Sequence, residues 1–201
     1  MLKRNRILLI PTLPILVFTG LGLAGGGPPT SNPITQSRSL RVPAIGDIYA
    51  EDQQNILYAG ATKAGIDFKI WLKSKRTGVT TLVLDPQSLF GQEALTVSAT
   101  LGPTDAVYAF VRQKIAPQVN DNFLYEVNTK TLSKKLLARS SQLGINQVLL
   151  GPINYDLTSD SLIFNASFTE RLPNGTVRTD FQRVRLTPMH GPSRRLSIVH
   201  D

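Results

Sequence analysis

The chain contains no cysteine. A disulfide framework, a thiolate nucleophile and a zinc–thiolate centre are therefore all excluded. Histidine is nearly as scarce: His190 and His200 are the only two, both near the C-terminus. A serine–histidine–aspartate arrangement would have to use one of these imidazoles, and both read as solvated loop residues. No glycine-rich phosphate loop is present, because Gly25-Gly26-Gly27 precedes no helical pattern. Oxygen ligands for calcium are sparse as well. Asp156, Ser159 and Asp160 come nearest and read as a turn. No cofactor is expected. Sustained helical spacing with caps is also missing; the best candidates, 87–94 and 134–142, are short and broken by Gly or Ser.

The first residues carry a targeting pattern. Lys3, Arg4 and Arg6 precede an apolar run over 7–24, followed by three glycines and two prolines. Gly22 and Ala24 suit a signal peptidase cutting before Gly25. Pro11 and Pro14 interrupt a run already shorter than the ~20 residues of a spanning helix. Gly26 stands where a lipoprotein signal would place its lipidated cysteine. Residues 1–24 are thus expected to be a signal peptide, with an uncleaved anchor as the alternative, which would be the only link to a membrane. Either reading puts the remainder in the bacterial periplasm or outside the cell. Residues 25–41, rich in Gly, Pro, Ser and Thr, read as a flexible tether.

The formal charge is +8, of which the leader supplies three positive residues. What remains is weakly basic and scattered, so nucleic acid is not an expected partner. Hydrophobic residues make up 41% of the 201, enough for one core in a single domain over 42–201.

From residue 42 onward the pattern is β throughout. Three strand cores recur: Leu57-Tyr58-Ala59, Val107-Tyr108-Ala109 and Ile163-Phe164-Asn165. Each is followed by an acidic or amide residue plus Phe, at Asp67-Phe68, Asn122-Phe123 and Asp180-Phe181. Repeats of this length built from β segments indicate propeller blades. The repeats span about 42–84, 94–137 and 148–199, each with four strands. First strands are expected at 44–50, 94–100 and 148–155, and second strands at 56–60, 106–112 and 161–166. These are near-continuous apolar runs, as strands covered on both faces require. Third strands open at the Phe positions, with Phe68, Ile70 and Leu72 alternating against Lys69, Trp71 and Lys73. Fourth strands fall at 79–84, 132–137 and 195–199, where Lys134-Lys135 and Arg194-Arg195 suit outer edges. Pro173-Asn174-Gly175 marks a tight hairpin.

An Asp-bearing turn, an apolar strand ending in an aromatic and a small residue, and then Asp-Phe opening a third strand together resemble TolB-like propeller repeats over 42–199, nearly all of the chain beyond the expected leader. The chain departs from the family pattern, since no repeat has an intact Ser-Pro-Asp-Gly turn. The resemblance implies an all-β fold of three four-stranded antiparallel blade-like sheets, a TolB-like partial β-propeller. It also implies an exported binding or scaffolding domain, and carries over no catalytic residue.

Two chemistries remain. Asp67, Asp121 and Asp180 recur at comparable positions, and paired carboxylates at a propeller opening hydrolyse glycosides. A carboxylate-based hydrolase or lyase acting on an extracellular polysaccharide is the enzymatic alternative. Against it, such residues at hairpin necks commonly cap backbone groups. The binding reading gathers Lys63, Arg112, Lys114, Arg171 and Arg178 on the loops between second and third strands. Converging cations there would hold a cell-envelope protein or an anionic polymer. Trp71 reads as packing between sheets. Three blades leave two end faces open. A homodimer closing six blades, through Leu57 and Tyr58 at one end and Ile163 and Phe164 at the other, would cover them. So would residues 42–49 and 187–192 of the same chain.

Overall fold

The structure is a computed structural model that describes residues 42–117, 119–187, 189–190 and 196–200. The expected leader and tether lie outside these. Among the described residues the chain is all-β, arranged as three antiparallel sheets in sequence order that form no closed propeller.

The first sheet is a meander of β1 (Ala44–Glu51), β2 (Asn55–Thr62), β3 (Gly65–Ser74) and β4 (Thr80–Leu84). A single helical turn, α1 (Pro86–Phe90), leads out of it. Asp85 caps that turn by accepting from the Gln87 N–H at 3.0 Å, Pro86 follows the cap, and Gly91 ends it at φ 89°. The middle sheet repeats the meander with β5 (Leu95–Leu101), β6 (Ala106–Ala116), β7 (Val119–Asn128) and β8 (Lys134–Arg139). A 3₁₀ turn, Ser140–Leu143, follows. The third sheet holds β9 (Gln147–Val148), β10 (Asn154–Asp156), β11 (Ser161–Arg171), β12 (Val177–Thr187) and β13 (Ser197–His200). Here β9 and β10 both pair with β11.

The middle sheet explains why its second strand reads as one apolar run. Val107, Ala109 and Val111 pack with Leu57, Ile70, Val83 and Leu84 of the first sheet. Their alternates Tyr108 and Phe110 pack with Leu162, Phe164, Val184 and Leu186 of the third. Side chains alternate across a strand, so a strand covered on both faces must be apolar at every position. Each fully buried Val, Leu, Ile or Phe among them stabilises the fold by roughly 1.5–3 kcal/mol.

Turn chemistry follows the sequence. Gly175 takes φ 81°, its N–H donates to the Leu172 carbonyl, and the Asn174 side chain accepts from the Thr176 N–H.

Three expectations are corrected. The strand expected over 148–155 is split, because Gly151 and Pro152 break the ladder and the Gly151 carbonyl instead accepts from the Ser98 hydroxyl of β5. The fourth strand expected over 132–137 is present and runs over 134–139. The alternation on β3 fails at Phe68, which sits at φ 54° and is exposed, because the pairing with β2 slips there. Finally, the three Phe positions are not equivalent: Phe123 is buried, whereas Phe181 is 69% exposed. Of the expected end-face residues, Leu57 and Phe164 point into the two cores. The expected start of the last strand at Arg195 lies outside the described residues, and β13 is seen from Ser197.

Candidate binding groove at the hairpin end

The three hairpins β2–β3, β6–β7 and β11–β12 emerge at one end of the stack. Two hydrogen bonds between sheets establish this. The Thr96 hydroxyl of β5, opposite Val111, donates to the Phe68 carbonyl beside the first hairpin. Arg112 on β6 donates from Nη2 to the Val148 carbonyl at 2.7 Å, and Val148 pairs with Ala166 midway along β11. The second and third hairpins therefore project together.

The expected cations divide into three groups. Lys63 and Arg171 are exposed at hairpin ends and have no ion pair among the described residues. Lys114 and Arg178 are exposed too, but lie 3.4 Å from Glu93 and 2.9 Å from Asp180 respectively. Arg112 is different. Its side chain runs inward, with Nε donating to the Asn122 side chain at 3.2 Å and Nη2 to Val148. Burial lowers its pKa. It braces the middle sheet against the third and is not free to meet a ligand.

The three aspartates each belong to a separate local network, and no described hydrogen bond links any two. Asp67 accepts from the Gly60 and Lys69 N–H groups and from the Trp71 indole, holding the slipped register of β3. Asp180 pairs with Arg178. Asp121 is buried and accepts from the Ser140 and Ser141 hydroxyls at 2.7 and 2.9 Å. The Ser141 and Asn122 N–H groups also donate to it, at 3.2 and 2.9 Å. Burial alone would raise its pKa, but these four donors outweigh burial and hold it below the usual carboxylate range.

Asp121 lies at the edge of a groove of about 370 Å³ between the middle and third sheets. Ile115, Val119 and Asn120 of the β6–β7 hairpin form one wall, with Ser141, Asn146 and Thr169 opposite. A second hollow of about 230 Å³ shares Val119, Asn120 and Asn146 and extends to Gln147. Sequence reasoning missed this groove because its two walls are separated in the chain and meet only through sheet packing.

A second polar cluster occupies the opposite end. His190 Nδ1 lies 2.5 Å from Asp160 and Nε2 lies 3.1 Å from the Tyr108 hydroxyl. The Tyr155 hydroxyl donates to Asp160 at 2.7 Å. Burial and then the bond to Asp160 push the Tyr155 phenol up to about 12. His190 is exposed in a bend, as expected, but is also bonded to Asp160, a contact no local pattern signals across 30 residues. Tyr108 is fully buried, so the array fastens the chain after β12 to the sheets. Among the described residues no group of His, Asp and Glu could hold a metal ion, and no helix is long and apolar enough to cross a membrane.

No protein-family model matches this chain, and neither a curated protein nor a solved structure does.

Proposed function

We propose that this chain is an exported, non-enzymatic binding or scaffolding protein whose three sheets are degenerate TolB-like blades of a partial propeller. Its hairpin end contacts a cell-envelope protein or an anionic polymer. The blade reading is supported by two successive four-stranded meanders stacked face to face, with a third sheet of the same handing-on of strands. The observation that carries the functional reading is that three hairpins share one end and present Lys63, Lys114, Arg171 and Arg178 to solvent there. Cations on separate rigid hairpins act together on an extended polyanion, because their fields add over distances near the Debye length.

Lys63 and Arg171 are the informative pair, since neither has an acidic partner among the described residues. The Lys63→Glu/Arg171→Glu variant is expected to bind polygalacturonate about tenfold more weakly at low ionic strength, with the difference shrinking in high salt. Retention on immobilised polymer across a salt series measures it. Equal, salt-independent retention of both proteins would remove the charged face from the reading.

Export is tested separately. Protein recovered from an exporting bacterial host is expected to begin at Gly25 by mass spectrometry. An intact Met1 in the membrane fraction would indicate the anchor, and an intact chain in the cytosol would refute export.

A further inference from the structure

We infer that the groove between the middle and third sheets is a glycan site that takes a neutral, polyhydroxylated segment of a polysaccharide. This rests on the reading of the hairpin end as a polymer-binding face and narrows it.

Unused hydrogen-bonding capacity marks the groove. The side chains of Asn120 and Asn146 line it, are exposed, and form no hydrogen bond among the described residues. Asn120 belongs to β7 of the middle sheet and Asn146 immediately precedes β9 of the third, so the two carboxamides reach one hollow from separate sheets. Each free carboxamide offers two donors and an acceptor, which matches the donor-and-acceptor character of a sugar hydroxyl pair.

Gln147 adds donors held in a fixed direction. Oriented to satisfy its neighbours, its carboxamide oxygen accepts from Arg112 Nη2 and Nη1 at 2.9 and 3.1 Å. That leaves the NH₂ group to the hollow it lines. Arg112 is thus a positioning residue for the groove, which explains a buried cation behind an uncharged lining.

The backbone contributes an acceptor. The Asn146 N–H donates to the Ser167 carbonyl, so that carbonyl points to the inner edge of β11. Two residues on, the Thr169 carbonyl points the same way by strand alternation. The short strand β9 ends its pairing at Ser167, so it leaves Thr169 uncovered on that edge.

Charge and apolar surface set the class of ligand. No lysine or arginine lines either hollow, and the one carboxylate, Asp121, is already saturated by four donors. An anionic or cationic group would enter without a counter-charge. Ile115 and Val119, 56% and 46% exposed, supply an apolar strip beside the amides, suited to the C–H face of a sugar ring. An extended peptide fits less well. Strand addition needs a run of open edge, and β11 ends at Arg171, two residues past Thr169.

The test uses the full chain and a panel of neutral oligosaccharides on a glycan array, with the best ligand then titrated in solution. We expect at least one neutral oligosaccharide to bind and to shift the side-chain NH₂ resonances of Asn120, Asn146 and Gln147 in ¹⁵N spectra. The Asn120→Ala/Asn146→Ala variant should weaken binding about 10- to 100-fold while keeping the wild-type melting temperature, because both side chains are exposed. The inference falls if no neutral oligosaccharide is retained above the Asn120→Ala/Asn146→Ala control. It also falls if the shifts map elsewhere, or if a strand-forming peptide binds the groove and sugars do not. Loss of polygalacturonate retention in the charge-reversed variant, with no neutral sugar bound, would overturn the groove and leave the charged face standing. A neutral sugar bound without any polygalacturonate retention would do the reverse.

Discussion

Phe110→Ala is expected to destabilise the fold by about 3–5 kcal/mol, a large part of the ~5–15 kcal/mol by which a domain is ordinarily stable. Phe110 is fully buried on the face of β6 turned toward the third sheet, and its ring centroid lies 4.8 Å from that of Phe164. Removing it leaves a void between two sheets, each fixed by its own hydrogen-bond ladder, so neither can close onto the space without breaking pairing. Phe110→Leu keeps most of the volume and should cost about 1 kcal/mol. Phe181→Ala is the contrast, because that side chain is largely exposed and its loss should stay within about 0.5 kcal/mol of neutral. Denaturant midpoints of the three variants measure the ranking. If Phe181→Ala proved as damaging as Phe110→Ala, the assignment of faces in the third sheet would be wrong.

The ranking bears on what the sequence could convey. Val107 to Val111 had to be apolar at every position because β6 is covered on both sides, and that run is legible without a structure. So is the Asn174-Gly175 turn, whose local backbone demands admit few residues. Phe68, Phe123 and Phe181 show where legibility stops. Periodicity reports which side of a strand a residue takes. It does not report whether a neighbouring sheet lies on that side, nor where pairing slips by one residue. The slip at Phe68 depends on Asp67 accepting two backbone N–H groups and the Trp71 indole, an arrangement that exists only once β2 and β3 have met. The groove was hidden for a similar reason. Asp121 was singled out from its spacing, but Ser140 and Ser141 gain their meaning from the return of the chain across the end of β7. Arg112 looked like one more loop cation, and only the packing of β9 against β6 turns it inward.

Asp121→Asn is expected to lower stability at neutral pH by about 1–3 kcal/mol and to flatten the acid limb of the stability profile. The carboxylate accepts from four donors, whereas a carboxamide would turn an NH₂ group toward some of them. The pH dependence follows from the direction of the pKa shift. Asp121 titrates lower in the folded state than in the unfolded chain, where aspartate titrates near about 3.9. Its contribution is therefore complete above the unfolded value and is lost as pH falls through the folded one, because the unfolded chain takes up the proton first. Asp160 is also lowered: burial opposes the shift, and bonds from His190 and Tyr155 outweigh it. Some acid sensitivity should thus persist in the variant. Denaturant midpoints at pH 7, 5 and 3 give the comparison, and the gap between wild type and Asp121→Asn should narrow toward pH 3. A gap that stays constant would mean that Asp121 does not titrate with folding, and that the four bonds favour the carboxylate no more than its protonated acid. Because the Ser140–Leu143 turn hangs on this carboxylate while forming one wall of the groove, the same variant should also weaken glycan binding. Protonation of the wild type at low pH should reproduce that loss, which ties the shape of the groove to the charge state of a carboxylate whose four bonds are all internal.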